Sequence, residues 1–231
     1  MRFVIPVLGA LALSGCAAAQ MRLPDNLAAA TRTEFTGIGG WRSGDYTAGA
    51  YSGRYERSSD RLSYFGTVNE ARGHSEFTLA GPDIPEAIEG HCRMRANSVD
   101  LGLVEVTTRP MAYRCEFQAG GRPIAAWLEL QEDNGPGTPL NRDGRYGRLT
   151  LDGETVDIRS IHYLAGLDGS MPVSTPLGYV FEQRGHAVGA VELNGRPALM
   201  IEPGASPQLQ RTLTLAALAL GVFWDPANTD T

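Results

Sequence analysis

An uncharged apolar stretch at residues 213–224 constrains the fold of this chain more than any other feature. Ser206 and Pro207 before it are typical of a helix start, and Asp225 and Pro226 end it. A helix that is apolar on every side must be surrounded by protein or by lipid, and this one is too short to cross a hydrocarbon core of ~30 Å. We therefore expect burial inside the protein, with a membrane-dipping tail as the alternative. The expected core side chains are Leu213, Leu215, Leu218, Leu220, Val222, Phe223 and Trp224.

Short strand-like segments fill most of the chain ahead of that helix. They lie at residues 62–68, 76–79, 90–95, 98–107, 111–117, 124–130, 148–151, 155–158, 178–182, 187–193 and 197–201. Asp152-Gly153 and Asn194-Gly195 predict tight hairpin turns, because both central positions of a type I′ turn need positive φ. The glycine-rich residues 37–44 are predicted to form turns, since no phosphate-loop ending or helix pattern follows them.

Many strands with short connections are typical of a β-barrel or a β-sandwich. In a chain of strands, only the inside of a closed sheet can surround a helix. We therefore predict an all-β fold with one buried helix, an antiparallel closed β-barrel of about twelve strands around the hydrophobic C-terminal helix.

The N-terminal residues predict an exported lipoprotein. A short apolar run at residues 3–13 follows Arg2 and leads into Leu13-Ser14-Gly15-Cys16, the layout of a signal peptide that ends in a lipobox. We predict a signal peptide at residues 1–15 and lipid attachment at Cys16. Ala17, where aspartate would favour the inner membrane, predicts a lipid-anchored protein of the outer membrane that faces the periplasm. The alternative is cleavage after residues 17–19, which would release a soluble periplasmic protein.

The composition supports a folded domain behind that signal. Hydrophobic residues make up 42% of the chain and charged residues 20%, unlike a disordered segment. We predict a flexible tether at residues 16–33, a single β-barrel domain at residues 34–226 and a disordered tail at residues 227–231. The net charge of -6 argues against a nucleic-acid partner, because phosphate binding needs a basic surface.

Two cysteines remain once Cys16 carries a lipid. In an exported protein, Cys92 and Cys115 predict a disulfide, which would stabilise the fold by roughly 3 kcal/mol. A metal or redox role is disfavoured, because there is no C-x-x-C motif and His91 would face away from Cys92 on a strand. No cofactor is expected.

Catalytic motifs are missing from the sequence. There is no G-x-S-x-G or H-E-x-x-H motif, and the four histidines, His74, His91, His162 and His186, occur singly. The acidic loop at residues 131–137 is compatible with calcium, although turn formation alone explains its residues.

All 20 basic residues are arginines. Acidic neighbours predict solvated loops for two clusters, Arg54 with Arg57 and Arg61, and Arg142 with Arg145 and Arg148. Arg93, Arg95 and Arg114 could face a lipid headgroup near the barrel rim, and a plain exposed strand face is the alternative.

The predicted barrel resembles the tubby C-terminal-like fold, shared by tubby proteins, LURP-one-related proteins and phospholipid scramblases. Residues 178–182, 188–192 and 209–224 carry the resemblance, which covers about residues 35–224. It implies a twelve-stranded barrel threaded by a hydrophobic helix, and a connection with lipids and membranes. The basic phosphoinositide pocket of tubby is not visible in this sequence. The chain also resembles lipoproteins of GC-rich Gram-negative bacteria.

These observations predict a non-enzymatic envelope lipoprotein that binds a lipid or protein partner in the periplasm. The alternative is a periplasmic hydrolase that acts on envelope material through dispersed histidine and carboxylate residues, with His162 or His74 beside Asp or Glu. A third hypothesis is a purely structural lipoprotein without a ligand.

Overall fold

A computed structural model describes residues 20–64, 68–100, 105–133, 143–166 and 172–225. The signal peptide with Cys16 and the tail at residues 227–231 lie outside these ranges, as do residues 134–137 of the acidic loop.

Within those ranges, twelve antiparallel strands close into one barrel in which each strand pairs with its sequence neighbours. Pairing of the first strand with the last completes the ring, with Arg32 opposite Met200 and Glu34 opposite Ala198. The strands are β1 (Arg32–Thr36), β2 (Ser43–Ala48), β3 (Tyr51–Tyr64), β4 (Val68–Leu79), β5 (Ile88–Asp100), β6 (Glu105–Ala119), β7 (Arg122–Glu132), β8 (Arg145–Leu151), β9 (Glu154–Ile161), β10 (Gly178–Gln183), β11 (His186–Glu192) and β12 (Ala198–Ile201).

The helix α1 (Pro207–Val222) lies inside this barrel, as predicted. Every residue from Thr212 to Val222 is buried, and the helix contacts β3 and β4 on one side and β8, β9, β11 and β12 on the others. Its start also follows the sequence, since Ser206 Oγ accepts a hydrogen bond from the Leu209 amide at 3.1 Å.

The far end of α1 is closed by groups from the barrel wall. The Tyr113 hydroxyl donates a hydrogen bond to the Ala219 carbonyl at 2.9 Å, and its ring stacks on Phe223 with 4.3 Å between centroids. Trp224 departs from the prediction: it lies beyond the last helical residue and is only half-buried, with the guanidinium of Arg57 5.1 Å from its ring centroid. Asp225, the charged residue that follows, is itself buried, 3.3 Å from Arg145.

The hairpin predicted at Asp152-Gly153 agrees with the backbone. Asp152 and Gly153 both have positive φ, 50° and 83°, between β8 and β9. A second pair with positive φ, Arg184 and Gly185, joins β10 to β11. The two-residue turns place neighbouring strands in register, so that Leu149 and Val156 face each other in the core. The two-residue turn predicted at Asn194-Gly195 is wrong, because only Gly195 has a positive φ, 98°, and five residues separate β11 from β12.

Two predicted strand boundaries are wrong. The segments 62–68 and 98–107 each contain the end of one strand and the start of the next, because β3 pairs with β4 up to Tyr64 opposite Val68, and β5 with β6 up to Asp100 opposite Glu105. Polar residues dominate these long strands, so their alternation is hidden in the sequence.

The predicted tether is also wrong for residues 20–33. Met21 and Leu27 are buried against the outside of β11 and β12, and the Met21 amide donates a hydrogen bond to Glu192 at 2.8 Å. Residues 32 and 33 already belong to β1. The few apolar side chains of this segment are enough to hold it to the barrel because they enter a preformed surface.

Candidate functional site

Four arginines share the outer face of β5 and β6, and we call Arg93, Arg95, Arg109 and Arg114 the arginine surface. Side chains alternate along these strands, so burial of Cys92 and Cys115 directs their neighbours outward. Arg93 lies directly opposite Arg114, Arg95 opposite Ala112 and Asn97 opposite Arg109. The small side chain of Ala112 leaves room between the guanidinium groups, and a cleft of about 400 Å³ opens there.

Positive charge exceeds negative charge in this cleft, whose lining holds four arginines and one carboxylate, that of Glu116. Arg114 is paired, donating to Glu129 Oε1 from Nε at 3.1 Å and from Nη2 at 2.8 Å. The hydrogen bond from Arg114 lowers the pKa of Glu129 below its usual range. Arg93, Arg95 and Arg109 form no hydrogen bond or ion pair in the part of the chain that the structure describes. Three exposed guanidinium groups are therefore available to an anion.

The disulfide lies directly beneath this surface. Cys92 and Cys115 are bonded across β5 and β6, as predicted, with 4.0 Å between their Cα atoms. Each cysteine is the chain neighbour of one surface arginine, Arg93 or Arg114. The bond therefore fixes the spacing of the two strands at the point where their arginines face each other.

The structure brings together the three arginines named from the sequence and adds a fourth. Arg109 was missed because alternation from buried Met111 would point it into the core; a register shift between Arg95 and Asn97 brings it to the outer face, opposite Asn97. The binding role of Arg93, Arg95 and Arg114 stays a prediction.

A carboxylate-rich cleft of about 550 Å³ lies beside the arginine surface, and the two share His91. Its centre is Glu76, whose Oε1 is 2.9 Å from His74 Nε2 and 3.4 Å from His91 Nδ1. The hydrogen bond from His74 contributes most to a lowered pKa of Glu76. Among the described residues, no group of three or more His, Cys, Asp or Glu side chains could hold a metal ion.

The remaining histidines have different surroundings. His186 Nε2 is 2.8 Å from Glu202 on the exposed surface. His162 is buried, and its ring nitrogens lie 2.9 Å from Ser160 Oγ and 2.9 Å from the Val173 carbonyl. No carboxylate of the described residues forms a hydrogen bond with it. His–carboxylate contacts thus exist at His74, His91 and His186, all of them on the barrel's outer face.

Two arginines expected in solvated loops are buried instead. Arg57, on β3, donates to the carbonyls of Trp41 at 3.1 Å and Gly221 at 3.4 Å, and it also donates to Gly39. Burial lowers its pKa. Arg145 lies 3.3 Å from Asp225 and 4.0 Å from Asp143. Burial alone would lower its pKa, but Asp225 together with Tyr179, Asp143 and Glu132 outweighs burial, and the pKa of Arg145 is raised. Both arginines close the barrel at the C-terminal end of α1.

No family model matches this chain, and no curated protein or solved structure compared with it is similar. Across the described residues, no helix has both the length and the apolar character needed to span a bilayer.

Proposed function

We propose that this protein is an envelope lipoprotein, anchored to the outer membrane through Cys16 and facing the periplasm, that binds the phosphate of a lipid headgroup with net negative charge on the arginine surface. One observation carries the proposal: Arg93, Arg95 and Arg109 line a cleft of about 400 Å³ and form no ion pair with any described residue, so the single carboxylate of the lining, Glu116, leaves an excess of positive charge.

The chemistry of the cleft suits a phosphate group. A guanidinium presents its donors as a planar fork that matches two phosphate oxygens, and such charge-assisted pairs are stronger than neutral hydrogen bonds. The cleft has the size of a small-molecule site, which is about 300–1,000 Å³. A lipid headgroup fits this volume, whereas its acyl chains would remain outside.

The rigidity of the site also favours binding. The arginines project from paired strands, and the disulfide holds β5 to β6 between Arg93 and Arg114. A ligand would therefore order only the ends of these side chains, which reduces the entropy lost on binding.

Two further considerations support a lipid over a protein partner. The closed twelve-stranded barrel around a helix is compatible with the resemblance to the tubby C-terminal-like fold, and that resemblance implies a connection with lipids. A lipid anchor at Cys16 would hold the barrel close to phosphate-bearing headgroups.

Sedimentation with vesicles tests the proposal. A Cys16→Ser chain, which lacks the lipid attachment site, should bind vesicles of phosphatidylcholine with phosphatidylglycerol, but not phosphatidylcholine alone. The triple variant Arg93→Ala, Arg95→Ala, Arg109→Ala should lose at least about tenfold in affinity, because each charge-assisted hydrogen bond contributes about 1.5–3 kcal/mol.

The matched control changes three exposed arginines elsewhere, Arg122, Arg148 and Arg196, to alanine. It removes the same charge and should bind as the parent does. Equal loss in both triple variants, or no binding by the parent, would refute a headgroup site. If vesicles do not bind and the arginine surface instead captures an envelope protein, the partner is a protein.

A further inference from the structure

A serine and a histidine meet at the rim of the barrel, on different residues from those of the proposed headgroup site. Val156 and Ile158 of β9 point into the core, and Ser160 and His162 continue the same face where the strand ends. Ser160 Oγ and His162 Nε2 are 2.9 Å apart. This is the hydrogen-bond distance between a nucleophile and its base in covalent catalysis.

The second nitrogen of His162 fixes the direction of that hydrogen bond. Nδ1 lies 2.9 Å from the Val173 carbonyl, which can only accept, so Nδ1 carries the proton of the neutral ring. Nε2 therefore presents its lone pair to Ser160, whose hydroxyl donates. The side chain is 3% exposed, and burial lowers the pKa of His162, which keeps the ring in its basic form near neutral pH.

The pair lines a cleft of about 360 Å³ that also contains Arg145 and Tyr146. Ser160 is half-buried, so its hydroxyl is within reach of a ligand, whereas the histidine behind it is not exposed to bulk water. The Arg145 amide donates to Ser160 Oγ at 2.9 Å and holds it in place.

We infer that Ser160 is the nucleophile and His162 the general base of a site that hydrolyses small carboxylic esters. Ser160 Oγ attacks the ester carbonyl carbon while its proton passes to His162 Nε2. The carbon–oxygen bond to the alcohol then breaks, and the alcohol leaves with that proton. Water attacks the acyl-serine in the same way, which releases the carboxylic acid and restores both residues.

The Val173 carbonyl is the positioning group in this arrangement. It takes the place that a carboxylate has in a triad, orienting the ring without adding a charge. The other charged groups facing His162 are Asp143 and Arg145, which act on its pKa in opposite directions.

Labelling of the full chain with a fluorophosphonate tests the inference. Ser160 Oγ should displace fluoride from phosphorus, forming a phosphorus–oxygen bond and releasing hydrogen fluoride, and peptide mass spectrometry should find the adduct on Ser160. Ser160→Ala should abolish the adduct, whereas Ser43→Ala, at an exposed serine outside the cleft, should keep it. A folded parent chain without an adduct on Ser160 would overturn the inference.

His162→Gln tests the base. A variant with the parent's melting temperature should label at least about 100-fold more slowly, since general-base catalysis contributes about 10²–10⁴-fold. Labelling at the parent's rate would refute the role of His162. If this variant does not fold, the parent's pH profile decides: labelling must fall as pH drops through the lowered pKa of His162, and a flat profile from pH 7 to pH 4 contradicts the mechanism.

Discussion

Two arginines, Arg57 and Arg145, are buried in this barrel, and each has partners that compensate its charge. Arg57 has backbone carbonyls around it, including that of Gly221 in the last turn of α1, where unpaired carbonyls carry partial negative charge. Arg145 instead has carboxylates, Asp225 at 3.3 Å and Asp143 at 4.0 Å. Charged residues are normally exposed, so their type alone predicted solvated loops; only the topology shows that both point toward the end of the helix.

Asp225→Ala should lower the free energy of unfolding by about 3–5 kcal/mol, because it leaves Arg145 buried with only the more distant Asp143 beside it. Denaturant unfolding of the purified chain measures the change. The control is Asp157→Ala, which breaks an exposed pair with Arg148 at 2.8 Å and should cost less than about 1 kcal/mol. Similar losses in the two variants would show that Asp225 does not hold a buried charge.

The candidate sites illustrate how much of residue-level function is visible in sequence. Arg93, Arg95 and Arg114 could be named because they alternate with buried residues on recognisable strands. Ser160 and His162 have the same two-residue spacing, which predicts a shared face, but not that the rim of the barrel leaves them room to meet. Arg109 could not be named, because a register shift between β5 and β6 moves it to the outer face. Spacing along the chain thus predicts which residues share a face of one strand, but it does not predict which residues meet across two strands.

Among the elements, α1 was the most predictable. Its surface is apolar on every side, and in a chain of strands only the inside of a closed sheet can bury such a helix. Its N-cap residue, Ser206, is the one that the sequence indicates. The long polar strands β3 and β4 were the least predictable, because their stability comes from pairing with neighbours and not from a strong apolar pattern. Residues 20–31, which pack on the outside of β11 and β12, contain too few apolar residues for their burial to be predicted from the sequence alone.

Leu218→Asp should abolish the cooperative thermal transition, since the side chain is fully buried and an unpaired carboxylate would replace it. Leu218→Ala, which only leaves a cavity, should lower the free energy of unfolding by about 2–5 kcal/mol. Gln210→Asp, at an exposed position on the first turns of the same helix, is the control and should leave the melting temperature near that of the parent. A Leu218→Asp chain that melts like the parent would place this face of the helix outside the core.

For the whole molecule, closure of the barrel and burial of the helix depend on each other. The ring is complete only when β1 pairs with β12, and the interior is filled only when α1 occupies it. Binding and chemistry are consequently expected on the wall and at the rim: the arginine surface lies on the wall, and Ser160 with His162 lies at the rim. The strand number and the closure of the barrel could be predicted from the turn spacing and the apolar helix. The surface clefts could not, because they depend on the register between neighbouring strands, which no local sequence pattern encodes.

Native-state hydrogen exchange of the α1 amides tests this architecture most directly. If the helix is enclosed by the barrel, the amides of residues 213–222 should exchange only through global unfolding, with an opening free energy equal to that of denaturant unfolding. Exchange of these amides through local opening, at a free energy several kcal/mol below the global value while the strands remain protected, would show that the helix is not enclosed and would contradict the account.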